Sequence, residues 1–147
     1  MLDYKFFSKV GPNVRDRYRD HIFRKAKDVY GNSFSSIYDK DYKSRKVAGK
    51  FKRFTRAEKI NAPVLTGDLL RDYSLIKTST NGFQIGWIAQ GAKIKWLANN
   101  RRYLTTKEDP LPKNIMDYLS KEACAYTKKK SDKKLGIGKT KIHKIGK

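Results

Sequence analysis

From Val14 the apolar positions recur at helical spacing as Val14, Tyr18, Ile22, Ala26 and Val29. Arg15, Arg17, Arg19, Arg24, Lys25 and Lys27 fill the opposite face, so the stripe predicts an amphipathic, basic helix. Gly11-Pro12-Asn13 punctuates its start with Asn13 as N-cap, and Gly31 is placed to end it in a left-handed conformation. A second pattern follows downstream, where the period changes to two. An extended segment reaches Thr80, Asn81-Gly82 intervenes, and Phe83-Gln84-Ile85-Gly86-Trp87-Ile88 alternates apolar and polar. Asn-Gly favours a two-residue hairpin turn, because both positions need positive φ there. The expected register sets Thr80 against Phe83, Thr78 against Ile85 and Ile76 against Trp87. Ile76, Thr78, Phe83, Ile85 and Trp87 then share the face that packs on the helix stripe.

Beyond the hairpin, Ala92, Ile94, Trp96, Leu97 and Ala98 predict a short helix or bent strand ending near Asn99-Asn100. Arg101-Arg102-Tyr103-Leu104 reads as a short extended piece, and a two-proline loop covers 105–112. From Pro112, Ile115, Leu119, Ala123 and Tyr126 recur at helical spacing, in a helix expected to bury Met116 and Cys124 as well. These elements predict an α+β domain over residues 1–127. Its small antiparallel sheet is built on the central hairpin and flanked by N- and C-terminal helices, with an extended basic arm and tail. The 147-residue length accommodates one such domain with a hydrophobic core.

Charge changes this picture more than any motif. Thirty-five Lys and Arg face 14 Asp and Glu, a formal net charge of +21, which self-repels unless an anionic partner is near. The excess is concentrated in two places. Within residues 32–62, Lys40, Lys43, Arg45, Lys46, Lys50, Lys52, Arg53, Arg56 and Lys59 alternate with Tyr38, Tyr42, Phe51 and Phe54. Such aromatics either stack bases or anchor a loop to the core, and anchoring is the commoner role. Thr55-Arg56-Ala57-Glu58 has the pattern of a capping box, predicting a short helix stopped by Pro63. From Lys128 to Lys147, nine lysines oppose one aspartate, which predicts a flexible tail able to lie along phosphates or an acidic neighbour.

Candidate chemistry is sparse. Gly138-Lys139-Thr140 has the end of a phosphate-binding loop, but the pattern needs glycine where Lys133 stands and a helix after it. His21, His143 and Cys124 have no metal-ligand spacing and form no recognisable nucleophile–base pair. Asp68 and Asp72, one helical turn apart, can share a face toward a cation, although capping or turning the chain is the simpler role for Asp68. The expectation is therefore a protein without cofactor or metal that is not an enzyme. One cysteine excludes an internal disulfide, no run has the length of a membrane span, and the N-terminus lacks a signal-peptide layout. A soluble protein made in a cytoplasm is expected.

The order of segments resembles the virion-morphogenesis proteins of tailed bacteriophages, the small neck, head-tail joining and tail-completion proteins. The residues that carry the likeness begin with Tyr42-Lys43-Ser44-Arg45-Lys46, followed by Val64-Leu65-Thr66-Gly67-Asp68-Leu69 and the hairpin. Ala92-Lys93-Ile94-Lys95-Trp96-Leu97, Arg101-Arg102-Tyr103-Leu104, a proline-containing loop and a closing helix from Pro112 complete it. The resemblance spans roughly residues 38 to 125 and brings no catalytic residues with it. It implies a homo-oligomeric ring at the virion neck, between portal or adaptor and tail proteins, assembled in the host cytoplasm and passing DNA. A heterologous contact repeated about an axis closes such a ring.

The residues expected to face nucleic acid or an acidic partner are Arg45, Lys46, Lys52, Arg53, Arg101, Arg102, Lys128, Lys129, Lys130, Lys133 and Lys134. In a ring they would attract phosphate without reading sequence. The alternative is a stand-alone basic nucleic-acid-binding protein of ribosomal or nucleoid type, which the same charge supports. Salt dependence separates the two, since a dedicated binder holds duplex or RNA tightly on its own and loses affinity steeply with salt.

Overall fold

A computed structural model describes residues 1–47 and 68–135. The architecture is α+β, with five α-helices and one two-stranded antiparallel sheet among the described residues. Helix α1 runs Tyr4–Arg19 and passes directly into a π-helical turn, Asp20–Arg24. A 3₁₀ turn (Phe34–Ile37) and α2 (Lys40–Val47) follow. Helix α3 (Asp68–Asp72) leads into β1 (Ser74–Thr78) and β2 (Phe83–Gly86), then α4 (Gly91–Asn99) and the long α5 (Lys113–Lys134). The predicted helix of the 55–58 capping box, the Val64–Gly67 segment and the last twelve residues lie outside the described range.

The first helix begins at Tyr4, nine residues before Asn13. Its N-cap is Asp3, whose carboxylate accepts from the Phe6 amide at 3.2 Å, and Pro12 sits inside it. Proline in a helix interior removes one hydrogen bond. The burial of Phe6, Val10, Val14 and Tyr18 along one face nevertheless carries the helix through Gly-Pro-Asn. The apolar repeat is four residues long and extends from Phe6 to Ala26. An α-helix needs only 3.6 residues per turn, so a strict four-residue stripe drifts around it by about 40° at each step. The wider π turn at 20–24 absorbs this drift and returns Ile22 and Phe23 to the core. Ala26, at φ 55°, ends the helical run in place of the expected Gly31. Gly31, at φ 88°, instead shapes the tight turn that follows Asp28.

The hairpin forms with a different register. Thr78 pairs with Phe83, Lys77 with Gln84, Leu75 with Ile85 and Ser74 with Gly86, with an irregularity between Leu75 and Lys77. The loop is therefore four residues, 79–82, closed by Ser79 N–H donating to the Gly82 carbonyl at 2.8 Å. Asn81 and Gly82 lack the positive φ that the two-residue turn requires. The bulge switches the face of β1, so Leu75 replaces Ile76 on the inner side and Ile76 is 39 % exposed. Leu75 and Phe83 approach α1 at Gly11, where a Cβ would lie 3.3 to 3.4 Å from their side chains. The apolar stripe of the first helix does pack on the hairpin, as expected, and Gly11 is the notch that lets it.

Trp87 is half-buried against the core, on the side its alternation predicts. Its indole N–H donates to the Leu69 carbonyl at 2.9 Å, and its ring packs against Tyr73 and Tyr18. Helix α5 runs antiparallel to α1 along its other side. Tyr126 meets Asp3 at one end, and Arg17 stacks on Tyr118 toward the other, 4.0 Å from the ring centroid. Ile115 is buried there, with Leu119, Ala123 and Tyr126 half-buried. Met116 and Cys124, expected inside, are exposed, because they fall one position beyond the Ile115–Leu119–Ala123 row.

Candidate nucleic-acid interface

Arg101 with Arg102, and the five lysines of 128–134, fall at two separate ends of the α1–α5 pair. At the first end, α4 closes with Asn100 as its cap, and Arg101 takes a left-handed conformation at φ 55°. Arg101 N–H donates to the Ala98 carbonyl at 2.9 Å and Arg102 N–H to the Leu97 carbonyl at 2.9 Å. This is a Schellman ending with arginine where glycine is usual. Arg101 is exposed. Arg102 is half-buried, its Nε donating to the Ser33 carbonyl at 2.7 Å and its Nη1 to the Arg101 carbonyl at 2.7 Å. Of this pair, Arg101 is presented to solvent and Arg102 clamps the loop after the first helix.

That loop is held by a buried carboxylate that no local sequence pattern singles out. Asp28 is fully buried and accepts from Asn32 N–H at 2.7 Å, Tyr30 N–H at 3.0 Å, Asn32 Nδ2 at 3.1 Å and Tyr103 N–H at 3.3 Å. The His21 ring lies 2.8 Å from the Asp28 carbonyl, and Val29 N–H donates to the Tyr103 carbonyl at 3.0 Å. Tyr18 completes the junction by accepting from Thr105 N–H, and burial pushes its phenol pKa upward. His21 and Tyr18 are thus satisfied core groups that position the 101–105 segment.

At the second end, α5 continues to Lys134, seven residues past the point where the flexible tail was expected to begin. Lys128, Lys129, Lys130, Lys133 and Lys134 are all exposed on this helix. Lys130 Nζ lies 2.8 Å from the Asp3 carboxylate and also donates to the Met1 carbonyl at 3.3 Å. Tyr126 donates its hydroxyl to the same carboxylate at 2.9 Å. Lys130, then Tyr126, then the Phe6 amide hold the Asp3 pKa down from 3.8 to about 2. The α1 cap and the end of α5 therefore share one carboxylate.

The remaining expected cations are placed less fully. Arg45 and Lys46 belong to α2, while Lys52 and Arg53 lie outside the described residues. The length of α1 with its π turn separates the Arg101 end from the lysine end by on the order of 30 Å. They do not form one site. Between α1 and the start of α5 there is an open hollow of about 360 Å³, lined by Arg17, Arg24 and Lys25 but also by Asp16 and Asp20. Arg24 and Lys25 pair with Asp20 at 2.6 and 3.8 Å, so much of the hollow's charge is internally balanced.

The two candidate carboxylates do not face one cation. Asp72 accepts from the N–H groups of Ile88, Ala89 and Gln90 at 2.9 to 3.0 Å, fixing the entry to α4. Asp68 pairs with Arg71 and Lys93 at 2.6 and 3.4 Å. Among the described residues no cluster of three metal-ligating side chains occurs, and no helix is long and apolar enough to cross a membrane. No family model, curated protein or solved structure matches the chain.

Proposed function

We propose that this chain is a structural component of a tailed-phage virion, a neck or head-tail connector protein whose copies form a ring between portal and tail and leave a passage for DNA. One observation carries this reading. Of the cations the sequence singles out, exposed Arg101 stands at one end of the α1–α5 pair and exposed Lys128, Lys129, Lys133 and Lys134 at the other, while the buried groups Asp28, His21 and Tyr18 and the half-buried Asp72 tie loops to that body. A body built this way acts through shape and charge at separated places, as a protomer that meets neighbours and a polyanion at once must. Exposed Ile88 and Trp96 offer apolar contact area of the kind protein interfaces use. The order of segments that resembles the virion-morphogenesis family is the second support.

Quantitative mass spectrometry of nuclease-washed virions from the source system tests the proposal. The expected result is a fixed copy number per particle of the size a single ring requires. Absence from the particles, with recovery on cellular nucleic acid, would refute it. The exposed lysines of α5 would then favour the second reading, a stand-alone basic nucleic-acid-binding protein.

A further inference from the structure

We infer that the C-terminal two turns of α5 form a helical phosphate-binding rod, in which Lys128, Lys129, Lys133 and Lys134 contact a nucleic-acid duplex and Lys130 does not. This deepens the reading that the protein works against DNA, and needs only that part of it. The argument begins with the helix face. Side chains three, four and seven positions apart lie on one side of a helix. The row Leu119–Tyr126 therefore continues into Lys129, Lys130, Lys133 and Lys134, while Lys128, about 100° around the helix from Lys129, stands on the flank turned away from α1.

Along 115–126 this face packs on α1. Helix α1 itself begins at Tyr4, capped by Asp3, and Asp3 is bound to Tyr126 and Lys130. The face changes from apolar to lysine where the body beneath it ends. Past that point the lysines of α5 are exposed, as is Leu135, which is 69 % exposed. A surface left for solvent alone needs no such density of one sign.

The lysines are not equivalent. Lys130 is engaged by Asp3, the Met1 carbonyl and the face of Tyr126. The side chains of Lys128, Lys129, Lys133 and Lys134 make no ion pair or hydrogen bond among the described residues, and Asp132 is the one acidic residue within the stretch. Cations near a helix C-terminus also complement its dipole, but that effect is confined to the last turn. It accounts for Lys133 and Lys134 and leaves Lys128 and Lys129 without a role. The partner these four fit is a dense row of negative charge, and duplex DNA carries one phosphate charge per about 1.7 Å of axis. The anchored Lys130 fixes the direction of the rod, so its neighbours meet phosphates without first ordering a coil.

The test is fluorescence anisotropy of the full chain with a labelled duplex of about 30 base pairs, titrated at several salt concentrations. Each phosphate contact adds about 0.9 to the slope of log K against log salt. Replacing the four lysines (K128Q, K129Q, K133Q and K134Q together) should reduce that slope by about 3.6. Over about 50 to 200 mM salt, the variant should then lose roughly a hundredfold less affinity than the parent. K130Q alone should leave the slope unchanged while lowering the melting temperature. Lysine acetylation footprinting gives a second measure, with duplex protecting Lys128, Lys129, Lys133 and Lys134 but not Lys130.

An unaltered slope in the fourfold variant, with duplex still bound, would overturn the rod while leaving DNA contact elsewhere intact. Equal affinity for polyglutamate and duplex would overturn the assignment to nucleic acid. Virion copy number decides the ring reading separately.

Discussion

Asp28 offers the most direct examination of how the candidate surface is held. Its carboxylate gathers four N–H groups and is fully buried. Hydrogen bonds to a charged acceptor contribute about 1.5 to 3 kcal/mol each, and a buried donor left without a partner costs about 1 to 3 kcal/mol. Tyr30 and Asn32 are exposed, so their N–H groups recover water when the carboxylate is removed. Tyr103 N–H is set in a half-buried segment and has less recourse. Asp28→Ala should therefore destabilise the fold by roughly 3 to 5 kcal/mol, or roughly 10 °C in melting temperature for a chain of this length.

Asp28→Asn keeps the acceptor for Tyr30 and Asn32 but turns an amide NH₂ toward the donors from Asn32 Nδ2 and Tyr103, so it should lose somewhat less. Urea unfolding followed by tryptophan fluorescence and far-ultraviolet circular dichroism measures both variants. A loss below about 1 kcal/mol in Asp28→Ala would refute the role assigned to this junction, because solvent would then have replaced every contact.

Two further outcomes follow from the ends of the helix pair. Arg101→Gly removes the cost of a left-handed arginine and should raise stability by about 1 kcal/mol in thermal melts; a fall would mean that the Arg101 side chain supports the fold. The folded Asp3 pKa is depressed, so its contribution is complete above the ordinary aspartate value of 3.8 and disappears as pH falls through about 2. Between those values the melting temperature of wild type should fall toward that of Asp3→Asn, and a constant gap across the window would contradict the Lys130–Asp3–Tyr126 tie.

Elements governed by their own periodicity were legible in the sequence. The helix through Val14, Tyr18 and Ile22, the position of the hairpin over 74–86 and the helix from Pro112 lie where apolar spacing places them, although the first helix ends at Arg24 and the hairpin's register differs. What escaped depends on contacts across the chain. Asn13 resembles a cap locally, yet Phe6 and Val10 extend the buried row and Asp3 takes the role. Asn81-Gly82 satisfies the two-residue turn, but Leu75 and Phe83 seat against Gly11, and the bulge follows. Asp28 meets Tyr103 from 75 positions away, beyond any local pattern. The lysine-rich segment reads as coil by charge, although lysine itself is a good helix former. Its helical course is tied by Lys130 to a carboxylate 127 positions distant.

The two cationic ends share one construction, which changes how the net charge should be read. At each end one cation is engaged in holding a chain terminus or loop, and its neighbours are left without such a partner. Arg102 binds the Ser33 carbonyl beside exposed Arg101; Lys130 binds Asp3 beside exposed Lys129, Lys133 and Lys134. A count of basic residues treats these alike, but their removal has opposite consequences. Losing the clamp loosens the platform and changes affinity by way of stability, whereas losing an exposed neighbour removes one phosphate contact and changes the salt slope. Scanning lysines and arginines for binding alone would confound the two. Measuring melting temperature and salt slope on the same variants separates them, because a clamp moves the first and a contact moves the second.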